Sequence, residues 1–313
     1  MVQDNEIKAV ISPFAIREGE IKVFDGKDGY VSMNQIIHKI NIGHITDIHF
    51  KILELVNEFE FITSRQIFQL LEWKGIDVVS QDKLNNKLEQ LVKTKILTRY
   101  YFSSEDGKGI YRIYCLEKMG KYLLNSRGVD CKWQPTDNTK PVPMIKKRLA
   151  GNQTIIAYLR KVKAFDSYIP KPAINAKMSA KVFKATGGSV KLTKNGKAIQ
   201  FVFEVVRREE DWEKKLVDKM KLYQDFYTNF QPADSGFMSM PQLIFICEDE
   251  KHMAETFKTI VVNKVDIPQI KLYFSTDLRQ NEETLAKTLV EFKQDEETKK
   301  YKMLDVEVKL LGL

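Results

Sequence analysis

Cysteine is scarce and scattered. Cys115, Cys131 and Cys247 form no CxxC pair, and an odd set of three argues against a disulfide framework. The four histidines, His38, His44, His49 and His252, share no ligand spacing with them, so structural zinc is not expected. No apolar run reaches the ~18 residues of a membrane-spanning helix. The opening MVQDNEIKAV has no basic start followed by an apolar stretch, so a secretory signal is not expected and a reducing cytoplasm fits. No P-loop, GxGxxG, internal repeat or low-complexity tract occurs; Gly187-Gly188 and Asn195-Gly196 read as turns. No Ser/His/Asp or Cys/His arrangement is visible along the chain.

The most informative scarcity is that of acidic residues in the middle of the chain. Residues 131–208 hold 17 Lys and Arg but only Asp137, Asp166 and Glu204 as carboxylates, a net charge of +14. Residues 1–130 are neutral and residues 209–313 carry −6, which gives +8 overall. A block so biased suits a polyanion, most simply the phosphates of nucleic acid, bound with release of counterions. Docking on the chain's own acidic C-terminal third, or on an acidic protein, is the weaker alternative.

With 313 residues, 43% apolar and 11% aromatic, the chain has material for about two domains with real cores. Residues 1–45 are mixed and punctuated by glycine, and read as an extension of short strands and turns. From Thr46 the period becomes helical: Ile48, Ile52, Leu55, Val56 and Phe59 share one face. Thr63 caps a second helix with Ile67, Leu70 and Leu71 on its stripe, and Gly75 ends it. Ser80 caps a third, with Leu84, Leu88 and Leu91 turned inward. Ile96–Phe102 and Ile110–Leu116 are β-rich around the turn SSEDGKG, and a helix follows from Glu117.

Three helices and a hairpin, residues 46–130, predict a winged helix-turn-helix. The segment ILTRYYFSSEDGKGIYRIYCLEKMGKYLL resembles the wing of bacterial winged-helix proteins. Arg99, Lys108 and Arg112 are the expected phosphate contacts of the wing. On the third helix, Asn85, Asn86 and Gln90 suit adenine edges, with Lys93 beside them; Asp82 and Glu89 on the same side do not suit a groove lined by phosphate. Protein contact by this helix therefore stands as the alternative to DNA reading.

Residues 131–143, CKWQPTDNTKPVP, read as an interdomain linker. Residues 144–313 then predict a helix, a three-strand meander (Lys181–Thr186, Ser189–Thr193, Ala198–Val206), a long helix Glu209–Asn229, and a strand Gln242–Cys247. A helix His252–Val262, a strand Ile270–Phe274 and a helix Glu282–Phe292 follow, and Leu304–Leu311 is a candidate edge strand. The first of these helices is expected to show a polar side of Lys146, Lys147, Arg148, Arg160, Lys161 and Lys163.

This order resembles the PD-(D/E)xK nuclease-like core. The resemblance places Glu204 at the family's Glu position, but Val206 stands where the family has Lys, and VFKATGGSVKLTKNG carries lysines in place of the metal-binding Asp. One carboxylate holds a hard divalent ion poorly. The fold expected is thus α+β: an N-terminal winged helix-turn-helix and an α/β restriction-endonuclease-like domain lacking the full catalytic motif. Glu204 is a vestigial catalytic candidate, no metal or cofactor is expected, and Lys184, Lys191 and Arg207 are expected to form a phosphate platform beside it, one of them pairing with Glu204.

A narrower likeness follows from FVFEVVRREEDWEKKLVDKMKLYQDFY and PQLIFICEDEKH. With the winged helix, these are similar to the replication-relaxation family of plasmids and mobile elements over about residues 46–292. The matching residues are Phe203, Glu204, Lys219, Leu222, Tyr223 and Pro241 through Cys247. The chain lacks the family's Pro-Asp before the strand and the acidic residue two places after the Glu. The resemblance implies a sequence-specific, non-catalytic accessory that binds double-stranded DNA, with replication or transfer proteins of the same element as further partners and room for a homodimer. A metal-dependent or transposition-associated endonuclease with an atypical site is the runner-up.

Overall fold

The computed structural model describes residues 12–103, 111–281, 284–297 and 300–307. The chain is mixed α+β. Its first half runs β1 (Ile21–Phe24), α1 (Met33–Asn41), α2 (Asp47–Phe59), β2 (Ile62–Thr63), α3 (Ser64–Trp73), α4 (Gln81–Lys93), β3 (Leu97–Ser103), β4 (Ile113–Leu116) and α5 (Lys118–Ser126). The helix starts follow from local chemistry. Thr63 Oγ1 accepts the Gln66 N–H while the Gln66 side chain accepts the Thr63 N–H, and Ser80 Oγ accepts the Lys83 N–H. The strands form one sheet in the order β1-β3-β4-β2.

Within the segment read above as an extension of strands and turns, residues 12–45 hold a strand, β1, and a helix that was not expected, α1. β1 pairs antiparallel with β3, and α1, capped by Ser32 and Gln35, buries Ile36 in the core. The Asn-, Gln- and His-rich sequence of α1 hid its helical stripe.

A 3-10 turn, Pro135–Thr139, leads into α6 (Val142–Lys161). Then come β5 (Phe165–Ile169), β6 (Ala173–Ala176), β7 (Lys181–Lys184), β8 (Ser189–Lys194), β9 (Lys197–Val205), α7 (Trp212–Thr228), α8 (Pro232–Ser235), β10 (Gln242–Cys247), α9 (Glu250–Val262), β11 (Leu272–Thr276), the 3-10 turn Arg279–Asn281, β12 (Leu289–Gln294) and β13 (Tyr301–Val306). Seven strands make the second sheet, in the order β13-β12-β11-β10-β9-β8-β5. β9, β10 and β11 are parallel, joined by crossovers through α7 and α9; the outer pairs are antiparallel.

Two expectations for this sheet change. The first strand of the meander is β5, not Lys181–Thr186: β7 instead pairs with β6 in a separate hairpin. This hairpin is tied to α7 by Asp225, which accepts from the Met178 and Ser179 N–H groups. The expected helix Glu282–Phe292 is replaced over Leu289–Gln294 by β12, paired with β13 along six residues. The edge strand is β13, which overlaps the expected Leu304–Leu311 only over 304–306; residues 308–311 of that expectation lie outside the described residues.

The division at residues 131–143 is also corrected. One apolar cluster runs from α2, α3 and α4 through α6 to Phe201, Phe203 and Val205 of β9. α6 lies between the two sheets and is buried nearly all round, as expected of a helix covered on both faces. Polar bonds reinforce the seam: Gln66 donates to the Leu149 carbonyl, and Asn152 donates to the Phe59 and Phe61 carbonyls. A second cluster, on the other face of the seven-stranded sheet, joins α7 and α9 to Val202, Phe245 and Phe274.

The segment 12–20 is a further tie. Ser12 Oγ donates to Asp277, the Ile16 N–H to Glu248, and Arg207 to the Phe14 carbonyl. Arg207, Glu248 and Asp277 stand just beyond the carboxyl ends of β9, β10 and β11. The chain's own N-terminal segment thus fills the crevice at the ends of the parallel strands.

Candidate nucleic-acid interface

Alternation along β9 turns Phe201, Phe203 and Val205 toward α6 and Glu204 toward α7. Lys219 and Tyr223, four apart on α7, meet the carboxylate. Lys219 Nζ lies 2.7 Å from Glu204 Oε1, and the Tyr223 hydroxyl donates to Oε2 at 2.9 Å. Thr186 Oγ1 donates to Oε1 at 2.7 Å and accepts the Val205 N–H at 2.8 Å. Burial and the adjacent Glu204 charge push the Tyr223 phenol well above its ordinary range, so it stays a donor. Glu204, Lys219 and Tyr223, named together by the replication-relaxation likeness, are brought into one site. Glu204 was expected to pair with Lys184, Lys191 or Arg207; Lys219 takes that place because α7 covers this face of β9. Among the described residues no three His, Cys, Asp or Glu side chains converge as a metal would need.

Lys147, Thr186 and Lys215 line both the small cleft at Glu204 and a groove of about 580 Å³ along the seam between the two halves. Six cations, Lys140, Lys147, Arg148, Lys171, Lys184 and Lys215, face this groove against three carboxylates, Glu60, Asp137 and Glu209. Lys147 and Lys215 both reach Glu209. Lys184 is exposed on β7 and has no ion-pair partner among the described residues. The groove continues into a second stretch of about 400 Å³ that shares Glu60, Phe61, Asp137, Lys171 and Lys184. Lys140 and Lys171 were not singled out from sequence; the +14 block that contains them was the only signal.

α4 carries Asn85, Asn86 and Lys93 exposed on one side, as its Leu stripe predicts. Asn85 accepts from Gln81, and Lys93 lies 3.6 Å from Glu89. Gln90 is committed elsewhere: its Oε1 is 2.8 Å from His49 Nε2 on α2. Arg112 is largely exposed and holds Asp25 at 3.2 Å. Lys108 and the turn around it lie outside the described residues.

Four other candidates are corrected. Arg99 is buried and held by Glu89 at 2.6 Å and Asp25 at 2.8 Å, so it braces β3 against α4 instead of meeting phosphate. Lys146 is wholly buried, with Glu20 Oε2 and the Ala15 carbonyl each at 2.5 Å. Arg148 donates to the Pro170 carbonyl at 2.6 Å, and burial lowers it to about 10, still charged at neutral pH. Arg207 is wholly buried and donates from Nη2 to both Asp277 carboxylate oxygens, each at 2.8 Å. A charge is buried only when paired, and each of these has its partner inside the chain. Lys191 pairs with Asp166 at 2.8 Å on β5. Arg160 and Lys161 line a separate cleft between α3 and α6, where Arg160 faces Glu72 and Lys161 donates to the Gln280 carbonyl.

No protein-family model and no curated protein matches the chain. Among solved structures, restriction endonuclease FokI is similar over 74% of this chain and 42% of that chain, at 12% identity and a TM-score of 0.25. The match thus spans less than half of that chain, and a likeness so low carries no argument. No helix among the described residues is long and apolar enough to cross a membrane.

Proposed function

We propose that this chain is a non-catalytic, double-stranded DNA-binding protein, a winged helix-turn-helix fused to a nuclease-like domain whose catalytic function is lost. On the replication-relaxation likeness, the DNA is that of a plasmid or mobile element. The observation that carries the reading is the seam groove, with its surplus of cations over carboxylates. The element order α2-β2-α3-α4-β3-β4, with β2 paired to β4, supports the winged-helix part. The exposed Asn85 and Asn86 of α4 support base reading. Support for lost catalysis is that donors from Lys219, Tyr223 and Thr186 already occupy both oxygens of Glu204.

Duplex binding measured from 50 to 300 mM salt is expected to fall steeply, with a log–log slope of about −0.9 per phosphate contact. Asn86→Ala is expected to relax preference at one base pair, costing about 1–3 kcal/mol at the preferred site. Salt-independent binding, or an unchanged site logo in a selected-sequence assay, counts against the respective half of the reading. Incubation with supercoiled plasmid in Mg²⁺ and Mn²⁺ is expected to leave it intact; cleavage abolished by Glu204→Gln would favour the endonuclease alternative.

A further inference from the structure

Glu60 terminates α2 with φ 65° and ψ −69°, and the Phe61 N–H bonds the Phe59 carbonyl at 2.9 Å. Those values describe a γ-turn of the rare, strained hand, with a non-glycine residue at its centre. The strain is held in place: buried Asn152 of α6 donates to the carbonyls on both sides, Phe59 at 3.3 Å and Phe61 at 2.8 Å. The turn directs the Glu60 carboxylate into the seam groove, where its two stretches meet. There it faces three cations: Lys171 at contact, Lys140 at 3.3 Å and Arg148 at 3.6 Å. Lys184, without an ion-pair partner among the described residues, lines the same stretch. Asp137 shares Lys140 at 3.1 Å, which leaves two carboxylates, one on a strained backbone, among four cations: the arrangement of an internal anion occupying another anion's place.

We propose that Glu60 is an intramolecular stand-in for a phosphate, and that a backbone phosphate of the bound nucleic acid displaces it from Lys140, Arg148 and Lys171 while Lys184 secures the incoming group. The inference rests on the nucleic-acid reading for its ligand but on the groove alone for its site. A backbone phosphodiester carries the same single charge and two free oxygens as the carboxylate, so the exchange is driven by the neighbouring phosphates and the counterions they release. Glu60 then sets a threshold: a single weak anion does not dislodge it, whereas a polyanion anchored along the groove does.

The test compares wild type, Glu60→Gln and Lys184→Ala with two probes, inorganic tripolyphosphate by calorimetry and a 20-base-pair duplex by anisotropy. Removing the competing charge is expected to tighten both probes in Glu60→Gln by about fivefold or more. Lys184→Ala, an exposed change that leaves the γ-turn alone, is expected to weaken tripolyphosphate several-fold. It probes the same site should Glu60→Gln fail to fold. Duplex binding that is equal in all three proteins overturns the inference and leaves the DNA reading standing. Tripolyphosphate binding that tightens in Glu60→Gln without any duplex binding upholds the site and removes DNA as its ligand. Failure of wild type and variants to bind either probe overturns both.

Discussion

His252 takes its chemistry from burial and, after it, from charges on other elements. Its Nδ1 accepts the Glu248 N–H at 3.3 Å, its ring lies edge-on to Trp212, and its Nε2 is buried without a partner among the described residues. Burial first, then the charges of Arg208, Arg207 and Lys147 against that of Asp249, lowers it to about 3. In the unfolded chain it titrates near 6.5. The folded value is the depressed one, so its stabilising effect is complete above about 6.5 and is lost as pH falls from there toward 3. The slope in that window is about 1.4 kcal/mol per pH unit. Urea titrations at pH 7, 6 and 5 are expected to show this loss, and His252→Asn is expected to flatten it. Equal slopes in both proteins would mean that His252 does not titrate across this window.

α6 is the element on which both halves depend, and Gly151 packs against the backbone of the segment that leads into β8. A Cβ at Gly151 would lie 2.6 Å from Gly187 Cα and 2.9 Å from the Thr186 carbonyl. Helix propensity favours Ala over Gly by about 1 kcal/mol. Overpacking against backbone costs about 1–3 kcal/mol, because neither chain has a flexible end to move aside. Gly151→Ala is therefore expected to lower stability by up to about 2 kcal/mol, read as a fall in Tm. Thr186 also lines the seam groove, so the same change is expected to weaken duplex binding. A higher Tm would show that the sheet yields and propensity dominates.

At the scale of the whole molecule, one apolar cluster bridges the two halves across residues 131–143. The cluster through α2, α3, α4, α6 and β9 is continuous, and the segment 12–20 ties the N-terminal end to Arg207, Glu248 and Asp277. Cooperative unfolding follows from shared burial. Calorimetry of the full chain is expected to show a single transition. Fragments 1–130 and 144–313, each left with one bare side of the α6 interface, are expected not to give sharp transitions of their own. Two independent transitions matching the fragments would restore the two-domain picture.

Features governed by near neighbours were legible in the sequence. The capped starts at Thr63 and Ser80, the Leu stripe of α4, and the strands β9 and β10 stand where their patterns put them, because caps and stripes act within one or two turns. Glu204, Lys219 and Tyr223 were legible as a set only through the family likeness; spacing alone does not show α7 lying over β9. Leu285, Leu289 and Phe292 fit a helical stripe, and only pairing with β13 makes Leu289–Gln294 a strand. The fate of the basic block was the least legible. Lys146, Arg148 and Arg207 carry the same charge as Lys184, yet those three are buried or nearly so and Lys184 is exposed. Sequence determined how many cations the block holds; tertiary structure decided which remain available. A charge leaves water only where the fold delivers a partner, and the partners Glu20 and Asp277 come from remote parts of the chain.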